Sequence, residues 1–236
     1  MTTSAMQTDP GYTLGPIPIP RKRQIAQNLH RIRSVKAGMR IVTCESKLEL
    51  DAVFAKEGDP DTVWLCEQAF RIDRPIGKKP WCTLDLATRD HDGVEQLYEI
   101  KPTEHLVPAA DTRDKPADWD EIEAACAEFG RSVEFITELD LEPQEVLIAN
   151  WRMLLPFAVL AYEDPDDALA TQILNRASGS AGISIQDLWL EEPNRSRNDV
   201  TAHVAMLLHN GSLKGPLASE RLLSTTKLRG TRYETE

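Results

Sequence analysis

The chain contains no C-x-x-C pair. Cys44, Cys66, Cys82 and Cys126 stand far apart, which excludes the usual zinc-ribbon spacing and gives no disulfide framework. Buried free thiols are the expectation. His30, His91, His105, His203 and His209 are equally dispersed and supply no catalytic cluster. No apolar run reaches the length of a bilayer span, and the polar opening Met1–Pro10 lacks a signal-peptide core, so a cytoplasmic protein is expected. Acidic residues are missing from residues 21–40, where Arg21, Lys22, Arg23, Arg31, Arg33, Lys36 and Arg40 crowd together.

What is present is an acidic chain of 236 residues, with net charge -11 and pI near 5.0, a balance that argues against coating nucleic acid unaided. Its 41% hydrophobic and 28% charged residues are those of a soluble globular protein. A second basic set, Arg195, Arg197, Lys214, Arg221, Lys227, Arg229 and Arg232, lies near the C-terminus. Basic ends around an acidic middle fit local phosphate contacts, with partners supplying much of the affinity.

The stretch from Pro80 to Pro102 reads as two strands joined by the polar turn Arg89-Asp90-His91-Asp92-Gly93. Side chains alternate along a strand, so Glu99 and Lys101 share one face and Ile100 points the other way. An antiparallel partner brings Asp85 beside them. Paired carboxylates repel unless a cation lies between them, and hard oxygen ligands suit Mg²⁺ or Mn²⁺. A lysine beside that metal can orient or deprotonate an attacking water and neutralise charge on a phosphoryl transition state. The same residues also fit an exposed, salt-bridged hairpin.

Around this hairpin the periodicity predicts a helix from Cys44 closed by Gly58 and Pro60, with Glu45 and Glu49 one turn apart on one side. Thr62–Ile72 reads as a strand. After Pro102 come a polar connection, a helix ended by Gly130, and a short buried strand in R-S-V-E-F-I-T. The basic segment before Cys44 is read as partly helical.

The blocks E-S-K-L-E-L-D-A-V-F (Glu45 to Phe54), D-P-D-T-V-W-L-C-E-Q (Asp59 to Gln68), T-L-D (Thr83 to Asp85) and Y-E-I-K-P (Tyr98 to Pro102) stand in this order. Residues 34 to 137 thereby resemble the restriction-endonuclease-like core of the PD-(D/E)XK nucleases, and more narrowly the TnsA-type transposon endonucleases. The resemblance implies Asp85 and Glu99 as metal ligands and Lys101 as the catalytic lysine. Glu49 would be the helix acid, holding a second metal or ordering solvent, with Glu45 a competitor for that role. Gln68 matches the polar residue ending the first strand, in contact with the site or in a structural hydrogen bond. Leu84 and Ala69 depart from the pattern, standing where Pro is frequent.

The resemblance further implies Mg²⁺, replaceable by Mn²⁺, as cofactor. It also implies cleavage of the 5′, non-transferred strand at transposon ends, in double-stranded DNA, beside a DDE transposase (TnsB) and an ATPase regulator (TnsC). Such elements include CRISPR-guided ones. A winged-helix adaptor on a nuclease-like scaffold, or a stand-alone PD-(D/E)XK nuclease, are the alternatives.

From Pro143 a strongly apolar helix is expected, bent or broken near Pro156 and packing the two halves together. Three further helical patterns and a ribbon punctuated by Gly215-Pro216 suggest a winged helix-turn-helix. Arg195, Arg197, Asn198 and Thr201, near the start of its third helix, are the candidate DNA contacts. Asp199 and the acidic run before the module favour protein docking instead, which in the TnsA family involves TnsC. The expected class is therefore α/β, a mixed central sheet flanked by helices followed by an all-α, winged-helix C-terminal domain. The divisions fall at 1–33, an extended basic arm; 34–140, the nuclease domain; 141–162, a connecting helix; and 163–236, the C-terminal domain.

Overall fold

The computed structural model describes residues 15–17, 29–73, 75–109, 113–179 and 181–231. The candidate contacts Arg21, Lys22 and Arg23, and Arg232, lie outside them. In chain order the elements are β1 (His30–Arg33), β2 (Ile41–Cys44), α1 (Lys47–Gly58), β3 (Thr62–Ile72), β4 (Cys82–Asp90), β5 (Glu95–Ile100), β6 (Leu106–Val107), β7 (Lys115–Pro116), α2 (Trp119–Ala127) and β8 (Val133–Ile136). There follow α3 (Glu138–Leu141), α4 (Glu145–Glu163), α5 (Asp167–Ala177), α6 (Ile185–Glu191), α7 (Arg197–His209), β9 (Leu213–Lys214) and β10 (Arg229–Gly230). The protein is mixed α/β.

The chain divides into two compact units. One takes Met1–Arg31, Val42–Ala52 and Val63–Asp140, the other Ile32–Ile41, Val53–Thr62 and Leu141–Glu236.

The first unit is built on a mixed four-stranded sheet in the order β3-β4-β5-β8, with β4 antiparallel and β8 parallel to β5. The long strand Thr62–Ile72 is where β-branched and aromatic spacing places it. Trp119, Ile122, Ala125 and Cys126 of α2 share one core with Phe70, Leu84, Ala87 and Leu97 of the sheet. Edge-on aromatic pairs, Phe70 with Phe129 at 6.1 Å and Trp119 with Phe135 at 4.9 Å, each add about 0.5–1.5 kcal/mol beyond simple burial. Both faces of the end of β5 are covered, since Leu97, Tyr98, Glu99 and Ile100 are all buried. Burying Glu99 there is what makes the sheet chemically unusual.

In the second unit α4 packs along α7, and α5 and α6 pack on α7 as well. Each short helix has its own start signal: Asp166 accepts the Leu169 N–H, Ser184 and Asp187 form a reciprocal capping box, and Ser196 accepts the Asp199 N–H. The ribbon β9–β10 is antiparallel, with Lys214 opposite Arg229. Its long connection is pinned by buried Asn150, whose amide donates to the carbonyls of Leu217 and Glu220, both at 2.8 Å, and accepts the Leu222 N–H at 2.9 Å. Gly58 ends α1 against Trp151, where an added Cβ would lie 2.1 Å from the indole.

The helix α4 continues through Pro156, which is exposed, so the helix is not broken there. Of the basic segment, residues 29–40 are strand and turn, with Gly38 and Met39 at φ of 73° and 65°, and residues 21–28 lie outside the described residues. And α1 begins at Lys47, so Glu45 precedes the helix instead of riding on it. By length and mean hydropathy (1.3) Glu138–Glu163 could cross a membrane, yet 44% of its apolar window is already buried within the protein.

Candidate active site

Asp85 lies on β4 and Glu99 on β5. The ladder pairs Leu86 with Tyr98, and stepping one residue outward sets Asp85 opposite Glu99. Asp85 Oδ2 accepts the Ile100 N–H at 2.7 Å, which fixes its carboxylate against the neighbouring strand. Lys101, just past β5, is held by its own N–H to the Ile136 carbonyl at 3.0 Å. Its Nζ is 2.5 Å from Glu99 Oε1 and 3.8 Å from Asp85 Oδ2. The three side chains predicted to share one face therefore converge.

Electrostatics follow from burial. Glu99 is 4% exposed, and its Oε2 is buried with no hydrogen-bond partner. Burial and then the charge of Asp85 push its carboxyl well above the usual range, against the pull of Lys101. Burial acts to lower the Lys101 ammonium, but Asp85 and Glu99 together outweigh it and hold the ammonium protonated. Cys82, beside them, is pushed up to about 12 by burial, Glu99 and Asp85, so it stays a thiol.

Glu49 is the third residue of α1. Its Oε2 accepts the Glu45 N–H at 2.8 Å and its Oε1 accepts the Ser46 hydroxyl at 2.9 Å, a local cap on the helix start. Burial first, then the charge of Asp85, raise its carboxyl to about 7 in spite of those bonds. Glu49 thus lies in the field of the acid pair. Glu45 turns toward Gln68, whose amide donates to Glu45 Oε1 at 3.2 Å. Gln68 has φ of 45° inside β3, a left-handed conformation costly for a residue with a Cβ, and its carbonyl accepts the Ile17 N–H at 3.1 Å. Glu45, Gln68, Cys82, Asp85, Glu99 and Lys101 all line one cavity of about 570 Å³.

Among the described residues no three His, Cys, Asp or Glu side chains are gathered into a ready-made metal cluster. The donor set that could hold a divalent cation is Asp85 with Glu99. Two facing carboxylates, one carrying a buried oxygen without a partner, fit a hard cation.

Of the other predicted contacts, Arg195 pairs with Asp166 at 2.7 Å and Arg197 lies over the Trp189 ring at 5.2 Å. Thr201 donates to the Arg197 carbonyl at 2.7 Å, and Asn198 is exposed. Lys36 is not a phosphate contact. It is buried, and its Nζ donates to the carbonyls of Lys56 and Asp59 at 2.9 and 2.6 Å, closing the end of α1. Arg71, Lys79 and Trp81, which also line the cavity, were not singled out by the sequence, although Trp81, Thr83 and Asp85 stand at alternating positions.

No protein-family model matches the chain, and no curated protein matches it either.

Proposed function

We propose that the first unit is a metal-dependent DNA endonuclease of the TnsA-like, PD-(D/E)XK kind, cutting the 5′ strand at the ends of a transposon. The observation that carries this reading is Lys101 against Glu99 and Asp85, with Glu99 Oε2 buried and unpartnered. A structural salt bridge has no use for that orphaned oxygen, whose desolvation costs about 1–3 kcal/mol when nothing bonds it. A site awaiting a cation does.

Mg²⁺ or Mn²⁺ bound by Asp85 and Glu99 would supply Lewis-acid polarisation of the scissile phosphate. The chain's own residues do the rest. Asp85 is oriented by the Ile100 N–H and presents its carboxylate at the cavity. Lys101 brings a protonated ammonium to a phosphoryl group gaining charge. Glu49, half-titrated near neutrality, can take or hold a proton at its carboxylate close to the acid pair.

In the second unit, the three helices α5, α6 and α7 followed by the ribbon β9–β10 support a winged-helix reading. Arg195 and Thr201 are already engaged within that unit, which favours protein docking, with a TnsC-type ATPase as partner, over base reading by these residues. A TnsB-type transposase would cut the other strand, and the protein would act in the bacterial cytoplasm.

The deciding experiment is strand-specific cleavage of DNA carrying the element's ends, with and without the transposase and the ATPase. The parent should cut the 5′ strand only when the partners are present, and Asp85→Ala and Lys101→Ala should not cut. Undiminished cutting by either variant would end this reading, and cutting of both strands by the chain alone would favour a stand-alone nuclease.

A further inference from the structure

The cavity that holds the acid pair has an exposed side lined by Arg71, Lys79 and Trp81, which the chemistry above leaves unused. Trp81 is half-buried. The Arg71 guanidinium lies 4.7 Å from its ring centroid and also pairs with Asp73. At the buried side Glu45, Asp85 and Glu99 face a single Lys101, a wall of net negative charge that repels a polyanion on approach. Lys79, and Arg71 where a phosphate takes over from Asp73, offset that repulsion, and the indole adds a flat apolar surface. The volume of about 570 Å³ falls within the roughly 300–1,000 Å³ of pockets that enclose a ligand. At that volume it matches one nucleotide better than a stretch of duplex.

We propose that Arg71, Lys79 and Trp81 form a nucleotide subsite beside the acid pair, taking one unstacked nucleotide of the strand to be cut, its base against Trp81 and its phosphates on Arg71 and Lys79. The inference rests on the nuclease reading of Asp85, Glu99 and Lys101, and it adds what the substrate must be at that point: a strand locally out of the helix. Every base has a π-face, so the subsite selects for strandedness and tolerates any sequence.

The test is fluorescence anisotropy with a labelled oligothymidylate and with a duplex of equal length, Ca²⁺ being the added cation. The parent should bind the single strand more tightly than the duplex. Trp81→Ala should weaken single-strand binding about tenfold, with Trp81→Phe retaining most of it. The double variant Arg71→Gln, Lys79→Gln should flatten the slope of log affinity against log salt by roughly 1.4. Circular dichroism and the Trp81→Phe protein separate a lost contact from a lost fold. Equal affinities for parent and Trp81→Ala, or tighter binding of the duplex, would overturn the subsite. If single-strand binding depends on Trp81 but no DNA is ever cut in Mg²⁺, the subsite stands and the nuclease reading fails; if cutting is intact and Trp81 is indifferent, the subsite fails alone.

Discussion

Lys101 Nζ lies 2.5 Å from Glu99 Oε1, so the ammonium is the countercharge of a carboxylate that is only 4% exposed. Its removal leaves Asp85 and Glu99 facing each other across the sheet. One of them must then take up a proton or a cation. Lys101→Ala should therefore lower metal-free stability at pH 8 by about 1–3 kcal/mol, the low end reflecting a side chain that is partly solvated. Urea denaturation in a chelator measures it, and an unchanged midpoint would remove Lys101 from that role.

Metal addition should stabilise the protein through the same pair. Mn²⁺ or Mg²⁺ at a hundredfold over its dissociation constant contributes about 2.7 kcal/mol, a rise in Tm of roughly 5–11 °C. Asp85→Ala should abolish the rise. Because the Glu99 carboxyl is raised by burial and must be ionised to bind, the shift should grow with pH. A Tm indifferent to both ions would dismiss Asp85 and Glu99 as ligands.

Glu45 and Glu49 have separable roles. Glu49 feels the charge of Asp85, whereas Glu45 is tied to Gln68. Glu49→Gln should abolish cleavage, while Glu45→Gln should lower it by no more than about tenfold, the cost of one lost hydrogen bond of roughly 1 kcal/mol. Single-turnover cleavage rates compare them; the reverse order would assign the helix acid to Glu45.

Lys36 makes the second unit pH-sensitive. Burial, opposed by Glu57 and Asp59, lowers its ammonium to about 8. Between pH 8 and 10.5 the unfolded chain binds a proton that the folded one has released, so stability rises with pH across that window. Relative to Lys36→Met, the parent should gain on the order of 2 kcal/mol from pH 7 to pH 10. Paired denaturation curves at the two pH values provide the check, and a constant difference would contradict the burial of a charged amine.

The period of two in Y-E-I-K put Glu99 and Lys101 on one face, because alternation on a strand leaves a side chain no choice of face, while Asp85 comes beside them through the β4–β5 register. The caps of the C-terminal helices are seen in the structure: Asp166, Ser184 and Ser196 stand at the starts of α5, α6 and α7, where a side-chain oxygen satisfies an N–H that the helix itself cannot. Glu45 was misplaced because the register of a helix start depends on which residue caps it, and Ser46 does so here, with Glu49 three residues on. Nothing local marks Gln68 as left-handed; the constraint comes from its neighbours in space.

Local pattern, then, determined the main helices and strands and the faces of those strands, since each follows from backbone geometry within a few residues. Tertiary packing decided the remainder. Burial is a property of what surrounds a side chain, and it sets how tightly Glu99 holds its proton. It also turned Lys36 from a presumed phosphate contact into the cap of a helix, and brought Trp81, Arg71 and Lys79 to the mouth of the same cavity.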